Sequence, residues 1–306
     1  MTDSGDDTGG LVPAAGGRGS APARRPPDLV RPATVDDVPA IRAILAAHDN
    51  DGPVTLADVV GPYVRHCIAH AIARVTERDG EVIAYGATID TAVGRHLADL
   101  FVRPDLLGHG IGRVLLDAVF GGATRRTTFA SADPRALPIY VRAGMAPLWP
   151  NLHLRGRGTA LPPLDAGLTV EPAEPAGLAA LEREWTGADR RVDHAFWGSL
   201  AAADGFVVLD RARPVAIGYG RARQVGPERA VDRLVVRPGG EPVGPAIAGL
   251  RRAARGGDVA ACIPGPHPVL PVLLRAGFRV VDRDQFMASD PDLVDPARLL
   301  PNGGML

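Results

Sequence analysis

Leu97-Ala98-Asp99-Leu100-Phe101-Val102-Arg103-Pro104-Asp105-Leu106-Leu107-Gly108-His109-Gly110-Ile111-Gly112-Arg113-Val114-Leu115-Leu116 encodes a strand, a glycine-rich loop and the start of a helix. Alternation predicts that Leu97, Asp99 and Phe101 share one strand face and Ala98, Leu100 and Val102 the other, and Pro104 ends the strand. From Ile111 the apolar residues Ile111, Val114, Leu115, Ala118 and Val119 fall at helical spacing. Between the two, Gly108, Gly110 and Gly112 stand at alternate positions. A strand feeding a glycine-rich helix N-terminus is an anion site, because main-chain N–H groups approach the ligand and the helix dipole favours negative charge. The loop lacks the acidic residue about 20 positions further on that a dinucleotide site requires. It is not a nucleotide P-loop either, since no Lys follows the glycines and the chain contains none.

The chain has 306 residues, room for about two domains, and is 46% hydrophobic and 23% charged. Its net charge of −1 gives no bulk electrostatic case for nucleic acid or an anionic membrane. All 34 basic residues are Arg, which together with abundant Ala, Gly and Pro reads as codon usage. Cys67 and Cys262 lie far apart and form neither metal-ligand spacing nor a disulfide framework, so a metal-free cytoplasmic protein is expected. No run of about 18 apolar residues suggests a membrane span, and the acidic start (Asp3, Asp6, Asp7) does not suit a signal peptide.

Working outward, residues 1–27 read as a disordered tail. Leu29–Ala33 is a short strand, followed by a helix start at Thr34 with Asp37 in a capping-box place. A helical face runs through Val38, Ile41, Ile44 and Leu45, and a second helix is expected over 56–69, broken near Gly61-Pro62. Residues 71–77 and 81–86 flank Asp79-Gly80 as a hairpin. Beyond the opening stretch come a strand at 127–131, a short helix at 136–143 ended by Gly144, and a strand at 145–154.

Residues 155–167 read as a linker, after which the pattern restarts. Val30-Arg31-Pro32-Ala33 is echoed by Val170-Glu171-Pro172-Ala173. Tyr85-Gly86, Val102-Arg103-Pro104 and Ala143-Gly144 recur as Tyr219-Gly220, Val236-Arg237-Pro238 and Ala276-Gly277, displaced by 134, 134 and 133 residues. A near-constant displacement over separate signatures means an internal duplication. The second copy's loop, Gly239-Gly240-Glu241-Pro242-Val243-Gly244-Pro245, contains two prolines without an N–H and a carboxylate where an anion belongs, so it is read as degenerate.

Val102-x-Pro104 followed by Gly110-x-Gly112, and then by Tyr140-x-x-x-Gly144-Met145, resembles the acyl-CoA loop and acid motif of the GNAT superfamily of N-acetyltransferases. Leu107 departs from the Gln or Arg usual at its place. The resemblance implies an α/β fold built as two tandem GNAT units, each a mixed, mostly antiparallel sheet flanked by helices. The catalytic unit is 28–154 and the degenerate unit 168–306. It implies acetyl-CoA as acyl donor, no metal, and a small-molecule amine or peptide N-terminus as acceptor, in a monomer or homodimer. An acyl-CoA-binding sensor without catalysis is the alternative.

On that resemblance the pyrophosphate meets Leu107, Gly108, His109, Gly110, Ile111, Gly112 and Arg113, and the pantetheine arm lies along Leu100, Phe101 and Val102. Tyr140 is the acid that protonates the thiolate; a phenol with a pKa near 10 keeps its proton at neutral pH. Asp133 is either a cofactor contact or the N-cap before Pro134. Asp99 is either the base, acting through water, or a structural acceptor at a strand crossing. His48, Asp49 and Asp51 border the acceptor side, and His66, His70 and His96 are further candidates. In the second copy Tyr140 maps to Leu273 and Asp133 to Pro266. Trp149, Trp185 and Trp197 are expected in the core or between the units.

Overall fold

A computed structural model of the chain describes residues 28–48, 60–223 and 226–306. The first repeat runs β1 (Leu29–Pro32), α1 (Val38–Ala46), α2 (Val60–His70), β2 (Ile72–Arg78), β3 (Glu81–Thr91), β4 (Gly94–Val102), α3 (Ile111–Phe120), β5 (Arg126–Ala130), α4 (Ala136–Arg142) and β6 (Ala146–Arg157). The second runs β7 (Leu168–Pro172), α5 (Pro175–Thr186), α6 (Arg191–Ser199), β8 (Asp204–Asp210), β9 (Arg213–Ala222), β10 (Arg229–Val236), α7 (Val243–Ala254), β11 (Asp258–Pro264), α8 (Leu270–Arg275) and β12 (Arg279–Ala288), followed by β13 (Leu299–Leu300). The two repeats have the same order of elements, as the duplicated signatures require. The expected beginning of the second helix at 56 lies outside the described residues, as do the tail, Asp49 and Asp51.

Local chemistry accounts for the boundaries. Asp79 and Gly80 both take left-handed φ, 52° and 82°, as a two-residue hairpin demands. The Asp37 carboxylate accepts from the Thr34 N–H at 2.7 Å and closes the turn before α1. Ile111, Leu115, Leu116, Val119 and Phe120 bury one face of α3 on the sheet. Each such side chain contributes roughly 1.5–3 kcal/mol relative to exposure.

The thirteen strands of the described residues join in one sheet, in the order β1-β2-β3-β4-β5-β12-β6-β11-β10-β9-β8-β7, with β13 paired to β10. The two repeats therefore exchange their last strands. β12, from the second repeat, lies against β5 of the first, and β6, from the first, lies against β11 of the second. The exchanged strands pair antiparallel with each other, setting His153 opposite Asp282 and Asn151 opposite Asp284. The strand expected to end at 154 continues through Arg157, so the connection between repeats is shorter than 155–167. Gly156 on β6 is packed so closely that a Cβ would fall 2.4 Å from the Phe278 ring.

Three large apolar clusters among the described residues hold the sheet. One joins α3 and α4 to β3, β4 and β5; one joins α7 and α8 to the second half. The third is shared: Ile41, Tyr63 and Val64 of the first repeat pack with Leu178, Phe196 and Trp197 of the second, and Met305 and Leu306 are buried in it. A hydrogen bond crosses the same interface, His66 Nε2 to Asp193 at 2.8 Å, and on the second repeat's side the Arg190 guanidinium holds Asp193 and the main-chain oxygen of Leu306. The tryptophans follow expectation: Trp149 stacks on Phe286, Trp197 is fully buried, and Trp185 packs at the edge of the shared cluster.

Strand exchange makes each repeat incomplete alone. Expressed by itself, the segment 28–160 leaves one edge of β5 and both edges of β6 without their native partners, and it is expected to aggregate or remain unfolded by circular dichroism. Co-expression with 161–306 is expected to restore a soluble complex that survives gel filtration.

Candidate active site

β4 and β5 run parallel only over Arg95–Leu97 and Arg126–Thr128, and then separate. The cause lies in β4. Ala87 pairs with Asp99 and Thr88 with Leu97, so Ala98 is an extra residue, a bulge that twists the strand away. The bulge also corrects the alternation expected from sequence. Leu97 faces the α3 cluster with Leu100 and Val102, whereas Ala98 and Phe101 pack on the opposite cluster. A two-residue period cannot foresee an inserted residue.

The separation opens a cavity of about 950 Å³. Asp99, Leu100, Phe101, Asp133 and Tyr140 line it, so one place gathers five of the residues singled out by sequence. Val102 stands at its edge, its carbonyl oxygen 2.8 Å from His48 Nε2. The glycine-rich loop lies beyond the end of β4 and does not line the cavity. Gly108 and Gly110 adopt φ of 83° and 81° there, with open space around them, so backbone conformation rather than crowding requires glycine. Leu107 and Arg113 spend their N–H groups on Pro104 and Gly110. The N–H groups of Gly108, His109, Gly110, Ile111 and Gly112 have no main-chain acceptor among the described residues. These five donors at the mouth of α3 suit a diphosphate. The His109 ring bonds instead to the carbonyls of Leu106 and Leu107.

Asp99 carries one buried carboxylate oxygen, Oδ2, without a partner. Burial pushes its pKa up to about 7, and the Tyr63 phenol offsets part of that shift. Tyr140 is 7% exposed, and burial raises its phenol above the ordinary 10, so it holds its proton. The Asp133 carboxylate is taken up by the Arg135 side chain and N–H; the N-cap of α4 is Arg135, so Asp133 precedes the cap rather than forming it, and it lines the cavity. His96 is fully buried against Thr127 Oγ1, and burial lowers its pKa to about 3, so it is a neutral core residue. His66 serves the interface, and His70 stands beside it.

Sequence reasoning missed the far wall of the cavity, which is built by the exchanged strands and the tail: His153, Asp282, Arg283, Asp284, Gly303 and Gly304. His153 donates from Nε2 to Asp284 Oδ2 at 2.8 Å. These residues are distant in sequence from the motif, and only the exchange brings them to it.

The second repeat has the same split and fills it. β10 and β11 pair over two residues and separate, with a bulge at Asp232. β13 enters the gap, pairing Leu300 with Leu234 and Leu299 with Val235, while the Val236 N–H donates to the Arg298 carbonyl. At the mouth of α7 the Glu241 carboxylate itself accepts from the N–H groups of Val243 and Gly244, at 2.6 and 2.9 Å. An internal anion and an internal strand thus occupy the two places left open in the first repeat. Leu273, where Tyr140 has its counterpart, is wholly buried.

Comparison with known proteins agrees with this architecture. Residues 65–153 match the family model described as acetyltransferase (GNAT) domain. No curated protein matches. A putative acetyltransferase from Pyrococcus horikoshii is similar in structure, with a TM-score of 0.64 at 14% identity over 91% of this chain and 94% of that one. A GCN5-related N-acetyltransferase from Anabaena variabilis gives 0.59 at 12% identity, covering 91% and 84%. A tandem GNAT protein from the clavulanic acid biosynthesis pathway gives 0.57 at 17% identity, covering 87% and 100%. The chain has the fold of tandem GNAT proteins, and its residues 65–153 match the acetyltransferase (GNAT) domain model.

Proposed function

We propose that the chain is an acyl-CoA-dependent N-acyltransferase, with acetyl-CoA as donor and an amine as acceptor, and that its one active site belongs to the first repeat. The observation carrying this reading is the contrast between the repeats. Five N–H groups and the inner edge of β4 are open in the first, whereas Glu241 and β13 close their counterparts in the second.

The donor's diphosphate meets the N–H groups from Gly108 to Gly112. Its amide-rich arm pairs with the β4 edge at Leu100–Val102 as an added strand does. Asp99 takes a proton from the ammonium form of the acceptor through water, leaving a lone pair to attack the thioester carbon. The C–N bond forms, the C–S bond breaks, and Tyr140 gives its proton to the departing sulfur. A main-chain N–H near Val102 stabilises the oxyanion between these events. The raised pKa of Tyr140 suits the step, because the same dry surroundings also raise the proton affinity of the thiolate.

Tyr140→Phe is expected to lower kcat on the order of 10²-fold while leaving the calorimetric Kd for CoA within about twofold. Binding without thiol release from acetyl-CoA by the native chain, over any amine, would favour the sensor reading instead.

Asp99 makes two further readouts. With its pKa near 7, kcat/KM is expected to rise with pH up to about 7 and then level, and Asp99→Asn is expected to remove that limb. Stability moves the other way. Because the folded pKa lies above the unfolded one, ionisation costs the fold nothing at low pH and progressively more between about 4 and 7. Asp99→Asn is therefore expected to raise Tm at pH 8, with the gain vanishing below about pH 4 in a calorimetric series.

A further inference from the structure

β4 turns different main-chain groups to its two sides. Ala84 lies opposite Val102, and the Arg103 N–H donates to the Ile83 carbonyl at 2.9 Å. In an antiparallel ladder the groups of successive residues point to alternate sides. Those of Phe101 therefore face β3, and the N–H and C=O of Leu100 and Val102 face away from it. β5 does not meet them, because its pairing with β4 ends at Leu97. One of these groups is nevertheless occupied. His48, just beyond α1, donates from Nε2 to the Val102 carbonyl at 2.8 Å. A carbonyl only accepts, so the proton of that bond belongs to Nε2. The ring leans on Phe101, with centroids 5.4 Å apart, and both residues line the cavity.

The second repeat treats the same place differently. Val236, the counterpart of Val102 at the displacement of 134, gives its N–H to the Arg298 carbonyl, and β13 follows along the same edge. That occupant is main chain, anchored by the buried Leu299 and Leu300, and its departure would unmake a strand. The occupant in the first repeat is a half-buried side chain held by one hydrogen bond among the described residues. It leaves by rotation about its own side-chain bonds, losing only that hydrogen bond and the contact with Phe101. A hydrogen bond of this kind moves an equilibrium by about fivefold.

We propose that His48 is a replaceable occupant of the donor strand: it holds the Val102 carbonyl that an amide N–H of the acyl donor's arm takes on binding. This rests on the donor assignment of the acyltransferase reading and adds to it a residue that sets donor affinity by acting through Val102. The exchange is one for one. The Nε2–H···O bond breaks and an amide N–H···O bond forms, so the carbonyl has a partner on both sides of the step. Because the ring competes with the arm alone, it weakens ligands that bring the arm and is indifferent to those that bring only the diphosphate end. Its return to the carbonyl favours departure of the spent coenzyme.

The test uses the full chain and two ligands in calorimetry: CoA, and 3′-phosphoadenosine 5′-diphosphate, the same nucleotide without the arm. His48→Ala is expected to lower the Kd for CoA about fivefold and to leave that for the nucleotide within about twofold. His48→Gln, whose side-chain amide also donates, is expected to return the Kd for CoA to the native value, with Tm showing that both variants fold. In the unsubstituted protein, NMR of labelled imidazoles is expected to show the His48 Nε2–H losing its bonded shift when CoA is added and keeping it with the nucleotide. An unchanged or raised Kd for CoA in folded His48→Ala, an equal change for the two ligands, or an Nε2–H signal that CoA leaves in place would overturn the proposal and leave the acyltransferase reading standing. Absence of CoA binding by the native chain would overturn both.

Discussion

Main-chain hydrogen bonding governs this molecule. Each strand edge and helix N-terminus carries N–H and C=O groups that must find partners. The bulge at Ala98 parts β4 from β5 and leaves a run of them unmet, and the left-handed glycines of the following loop leave five more. The second repeat bears an equivalent bulge at Asp232 and therefore faced the same demand. It answers from within the chain, with β13 on the strand edge and Glu241 on the helix. One set of groups is left open; the other is satisfied from within the chain.

The exchange of β6 and β12 brings the second repeat to the open one. Had each repeat kept its own last strand, the cavity of the first would be walled by its own residues alone. With the strands exchanged, β12 comes to lie beside β5, and Asp282, Arg283 and Asp284 are carried to the cavity. The tail does the same from another direction. After β13 it is fixed by Asn302, whose amide donates to the Asp232 carbonyl and accepts from the N–H groups of Gly304 and Met305. It then presents Gly303 and Gly304 to the cavity and buries Met305 and Leu306 in the shared core. The strand that silences one cleft thus leads directly into the wall of the other.

What the sequence made legible was whatever local chemistry dictates. Asp79-Gly80 specifies a turn, Gly108 and Gly110 specify left-handed backbone, and the recurrence of Tyr-Gly, Val-Arg-Pro and Ala-Gly at a fixed displacement specifies a second copy. Tyr140 and Asp99 were singled out because they sit within or beside such signals, and both line the cavity. The bulge escaped because it changes the phase of alternation by one residue without altering composition. The exchange escaped because β6 and β12 have the same pattern in either pairing. His153 and Arg283 escaped with it, since nothing local distinguishes a pocket residue from any other polar residue on a strand. Glu241 was read as hostile to a phosphate, and coordinates were needed to see that its carboxylate itself accepts from the N–H groups of Val243 and Gly244.

The position occupied by Asp99 shows how the same strand geometry is turned to opposite ends. At the displacement of 134 its counterpart is Arg233, also directly after the bulge and also buried. Arg233 is bound by Glu182 at 2.6 Å, and Glu182 is bound in turn by His194, so the charge is neutralised inside the protein. Asp99 has no such counter-ion among the described residues, and its burial is reflected in a pKa near 7 rather than in an ion pair. A buried pair stabilises little over an apolar core, but a lone buried carboxylate is a standing cost. The Tyr63 phenol relieves part of that cost, and Oδ2, without a donor among the described residues, carries the rest.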